Sequence, residues 1–94
     1  MNSSYVYTEG LDNTLVTYYY ENLREKIYSI IYYLNKSIDS LEGIDDKILS
    51  GYSIDEDKVD NVLIDSIRSE LIQRVNFLNQ TIIPLLNSKI NSLN

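Results

Sequence analysis

Fourteen carboxylates, nine phenols and eleven serine hydroxyls are the groups with which this chain could do chemistry, and neither imidazole nor thiol accompanies them. A nucleophilic hydroxyl needs a base beside it and a third group to orient that base. Without histidine the usual general base and the commonest metal ligand are both missing. Without cysteine there are no disulfides, thiolate metal sites or thiol nucleophiles. Carboxylate pairs remain, but they serve as acid and base only across a shaped cleft. The three glycines stand apart from one another, so no phosphate-cradling loop is present. Asp55-Glu56-Asp57-Lys58-Val59-Asp60 begins like a calcium loop. It then places Asp60 where the turn glycine belongs and Ser66 where the bidentate glutamate belongs. A non-catalytic chain with no cofactor and no metal site is expected.

Charge narrows the partners further. Between Asp39 and Asp60 eight acids face two bases, Lys47 and Lys58, so this segment carries the entire net charge of −6. The remaining bases are scattered and balanced by acids, which disfavours direct binding to a phosphate backbone. No apolar run approaches the length of a membrane span. The first residues, Met1-Asn2-Ser3-Ser4, have no basic start and no apolar core. A cytoplasmic location is expected, with export by a route independent of a signal peptide left open.

The elements that must carry these groups are helices. Tyr20, Leu23, Ile27, Ile30, Leu34, Ile38 and Leu41 form one apolar stripe at steps of three and four. Ile64, Ile67, Leu71, Val75, Leu78, Ile82, Leu86, Ile90 and Leu93 form a second. This is the period of a helix laying one face on a partner. The spacing predicts an all-α fold, a long antiparallel hairpin with helices over 13–42 and 54–92. Gly43 is the expected left-handed residue ending the first helix. Residues 44–51 form a short connection able to hold one helical turn. Ser53-Ile54-Asp55-Glu56 matches a capping box opening the second helix. Pro84 lacks the N–H that would bond the Gln80 carbonyl, so a kink is expected near it. Residues 1–12 read as a flexible N-terminal arm, and 13–94 as one helical-hairpin domain.

Each stripe has apolar neighbours beyond the seam: Tyr28, Ile31 and Tyr32 on the first helix, Leu63, Ile72, Ile83 and Leu85 on the second. An apolar arc wider than a two-helix seam calls for a second layer, supplied by dimerisation into a four-helix bundle or by docking on another protein. Tyrosine offers a large contact face at low entropy cost. Tyr18, Tyr19, Tyr28, Tyr32 and Tyr33 are therefore the expected partner contacts, with Tyr5 and Tyr7 of the arm as a secondary anchor. The leading expectation is a small acidic helical accessory subunit of a larger complex. An acidic inhibitor that occupies a basic nucleic-acid-binding groove is a further reading.

A helix, an x-Gly turn and a second helix within 94 residues resembles the Trp-x-Gly, ESAT-like family of small secreted hairpins, with Leu41-Glu42-Gly43 at the place of the turn. That resemblance implies dimerisation and travel through a specialised secretion system as the partner of an effector.

Overall fold

The computed structural model describes the backbone of residues 3–51 and 58–94, and within these the side chains of residues 12–43 and 58–94. Among the described residues the chain is all-helical, with two long helical rods and no strand. Helix α1 runs over Ser3–Gly51; the second rod is made of α2 (Asn61–Phe77), one π-helical turn (Leu78–Ile82) and α3 (Ile83–Leu93). The rods pack side by side in a body measuring 78 × 19 × 14 Å. Their antiparallel register is marked by Arg24, whose Nη1 donates to Asn87 Oδ1 at 2.8 Å. Asn13, Thr14 and Thr17 lie beside Leu93 and Asn94.

Helix α1 extends past its expected limits at both ends. Residues 3–12, the expected arm, have helical backbone, and Gly43 lies inside the helix with no positive φ. The segment expected as a connection, 44–51, continues the same helix. A glycine inside a helix costs about 1 kcal/mol relative to alanine. The turn of the secreted-hairpin resemblance at Leu41-Glu42-Gly43 is thus uninterrupted helix here. The α2 helix of the second rod starts at Asn61, and the start expected at Ile54 lies outside the described residues. Asp60 caps it, Oδ1 accepting from the Leu63 N–H at 2.9 Å and its carbonyl from the Ile64 N–H at 3.2 Å. The expected capping box at Ser53–Glu56 lies outside the described residues.

The core is one line of side chains. Ile31, Ile38, Val75, Ile83 and Leu86 are buried together, with Tyr20, Leu23, Ile27, Leu34, Leu71, Leu78 and Ile82 packed half-buried against them. Ile90 is buried as well. Besides Ile67, expected on the second stripe and 44% exposed, two assignments change from the sequence pattern. On α1 the seam moves from Leu23 to Ile27 and then Ile31, leaving Ile30 exposed. At 3.6 residues per turn a straight helix drifts away from a strict seven-residue repeat, and a four-residue step corrects for it. On the second rod Ile83 joins the core in place of a flank position.

The cause of that second change is Pro84. The Ile83 N–H bonds to the Leu78 carbonyl, five residues back, closing a wider turn just before the proline ring. Leu78 and Ile83 consequently lie one above the other on the seam. In an uninterrupted α-helix five residues advance about 500°, which would put Ile83 roughly 140° away from Leu78. Carried onward, that unbroken phase would also turn Lys89 into the seam and Ile90 out of it. The π turn is therefore what keeps a lysine out of the core, and it lies where the kink was expected.

Two stability measurements check this description. Gly43→Ala is expected to stabilise the fold by about 0.5–1 kcal/mol in chemical denaturation, because the site is helical and an added Cβ meets nothing within 4 Å. A left-handed glycine would give a loss instead. Ile83→Ala is expected to destabilise by about 2–4 kcal/mol, while Leu85→Ala, on a side chain 62% exposed, should stay under about 1 kcal/mol. The reverse order would place the helix phase elsewhere.

Candidate interaction faces

Two rods joined by one seam form a ribbon with two broad faces, and the helical period assigns the exposed residues to them. At about 100° per residue, Tyr19, Lys26, Ile30 and Tyr33 lie roughly a quarter turn to one side of the α1 seam, whereas Arg24, Tyr28 and Asn35 lie to the other. On the second rod Leu63, Glu70, Arg74 and Phe77 lie to one side, joined beyond the π turn by Leu85 and Lys89. Asp65, Arg68, Ile72, Asn79 and Asn87 lie to the other.

Contacts show which flanks coincide. Ile30 and Leu34 line a shallow groove of about 390 Å³ with Gln73, Arg74, Phe77 and Leu78. The Arg24–Asn87 hydrogen bond crosses the seam on the opposite face. One face is thus apolar, with Ile30, Tyr33, Leu63, Phe77 and Leu85 all exposed along it. The other is mainly polar, and there Arg68 Nη1 pairs with Asp65 Oδ1 at 3.0 Å. Exposed tyrosine and leucine are ordinary when scattered. Here they share a face and a groove, which marks a contact surface more than singly exposed side chains do.

The expected tyrosine contacts divide between these surfaces. Tyr19 and Tyr33 belong to the apolar face, and Tyr33 is 66% exposed. Tyr28 stands on the polar face, while Tyr18 and Tyr32 occupy the outer edge of α1, away from the second rod. Tyr32 carries Lys36 above its ring at 5.1 Å, an i, i+4 cation–π pair of an ordinary exposed helix. Edge-on ring pairs join Tyr19 to Tyr20 and Tyr32 to Tyr33, each at 5.4 Å between centroids. Tyr5 and Tyr7 lie on helical backbone, and their side chains lie outside the described residues. The structure therefore does not gather the seven tyrosines into one site. Ile30 and Phe77, which sequence spacing assigned to the seam or passed over, are the residues that line the groove. The single phenylalanine seven residues after Glu70 and fourteen after Leu63 was the available signal, since a step of seven returns to nearly the same helix face.

Hydroxyls of Ser29, Ser37 and Ser40 donate to carbonyls four residues back, those of Glu25, Tyr33 and Lys36, at 3.3, 2.9 and 2.9 Å. Among the described residues no group of three acids is placed to hold a metal ion. No helix among them is long and apolar enough to cross a membrane. The acids of the 39–60 segment that are described include Asp60, engaged as a helix cap.

Comparison with known protein families, with curated proteins and with solved structures finds no match to this chain.

Proposed function

We propose that this chain is a non-catalytic helical interaction subunit, and that it acts by laying the apolar face of its ribbon against another polypeptide. The observation that carries the reading is the segregation of the faces. Phe77 is 56% exposed beside Ile30 and Leu34 in an apolar groove, while the opposite face carries Arg24, Asp65, Arg68 and Asn87. A second helical layer on the apolar face would complete a four-helix bundle of the ordinary kind, with the groove as the hole into which a partner side chain packs. The contacts of this reading are Tyr19, Ile30, Tyr33, Phe77 and Leu85. Tyr18, Tyr28 and Tyr32 fall outside it. The acidic end serves to keep the rod soluble and to orient it.

The test is the size of the particle the chain forms in cells that make it, read by size-exclusion chromatography with light scattering. The wild type is expected to run in a particle larger than its own 10.9 kDa. Ile30→Asp/Phe77→Asp should return it to that mass with helix content unchanged by circular dichroism, whereas Tyr28→Asp should leave the particle intact. A wild-type chain at its own mass would contradict the proposal.

A further inference from the structure

We infer that the occupant of the apolar face is a second copy of this chain, packed face to face and antiparallel about a two-fold axis that crosses the ribbon at Ile30–Tyr33. The inference rests on the docking role proposed above and names its partner. Three observations carry it.

The first is the pattern of charge along the face. Glu70 and Lys89 stand on the same flank of the second rod, separated by nineteen positions. Arg24 is level with Asn87 across the seam. Seven to eight residues further along each rod lie the midpoint of Ile30 and Tyr33 on α1 and the midpoint of Glu70 and Lys89 on the other, to within about a residue. A two-fold axis at that level, lying across the ribbon, sets Glu70 of one copy against the second copy's Lys89, and the converse. The same operation sets Ile30 against the second copy's Tyr33. An isologous interface must be self-complementary in this way. Arg74, whose Nε lies 3.6 Å from Glu70 Oε1, falls at the level of the second copy's Leu85, where its stem can lie along apolar surface.

The second observation is where the remaining charge sits. Outside residues 39–60 the chain is neutral, so two copies overlapping through their bodies do not repel. An antiparallel pair places the two segments of −6 at opposite ends of the rod. A parallel pair would hold them side by side, against strong like-charge repulsion. The third is composition. The face has alternating apolar and charged positions (Lys26, Ile30, Phe77, Leu85, Lys89), the mixture found where one helical layer meets another.

Charge reversal tests the arrangement on the full chain. Within one molecule Glu70 and Lys89 lie about 28 Å apart along the rod, so neither can compensate for the other there. In a dilution series read by light scattering, Glu70→Lys and Lys89→Glu should each weaken the dimer about tenfold, since two attractive pairs become repulsive. The double variant Glu70→Lys/Lys89→Glu should recover to within about twofold of wild type. An equimolar mixture of the single variants should form a heterodimer tighter than either alone. Both effects should fade as salt is raised. A wild type that stays monomeric at millimolar concentration, or a dimer in which the double variant is no better than the singles, overturns the inference. Dye binding then separates it from the reading beneath. A monomer that binds an apolar dye, with Phe77→Asp abolishing the signal, leaves the docking role standing with a different partner. A monomer that binds none removes both.

Discussion

Two packed helices share a single line of contact, and along it six apolar side chains are buried among the described residues, the deepest of them still 5% exposed. That is the limit from which the rest follows. Helices in proteins draw most of their stability from the face they bury, and a ribbon two rods wide has no inside. Everything a third or fourth helix would normally cover remains at the surface. Much of that leftover apolar area lies on one side, with Ile30, Phe77 and Leu85, while Arg24, Asp65 and Asn87 join Tyr28 and Ile72 on the other.

The sorting depends on a local backbone event. Pro84 cannot donate to the carbonyl four residues back, and the backbone answers with a five-residue turn closed between Leu78 and Ile83. Everything after that turn is rotated relative to what precedes it. Ile83, Leu86 and Ile90 enter the seam, while Leu85 and Lys89 move to the flank. The flank residues of the second rod are thus set by the proline as much as by their own side chains. Loss of the turn would exchange a core isoleucine for a lysine.

Much of this was legible in the residues. The two stripes identify the helical rods, their pairing and most of the seam, because burial at a helical period leaves a direct trace in spacing. Other features were hidden for physical reasons. Gly43 reads as a helix end because glycine favours left-handed caps, yet its backbone is helical with no positive φ. Ile83 reads as a flank residue because a period of 3.6 has no allowance for a π turn. The tyrosines read as partner contacts on residue type alone, and residue type carries no information about facing. Phase does, and it divides Tyr33 from Tyr28. The 52–57 segment, with its capping signal, lies outside the described residues.

The central claim is that the apolar face is covered when the protein is at work, and tyrosine reactivity tests it most directly. In a single chain Tyr33 is more exposed than Tyr28, 66% against 48%, so a phenol-directed reagent should label Tyr33 at least as fast. In cells that make the protein, the account predicts the opposite order by mass spectrometry, with Tyr33 protected and Tyr28 reactive. Tyr33 labelled as readily as Tyr28 in that setting would show the face open to water and contradict the account.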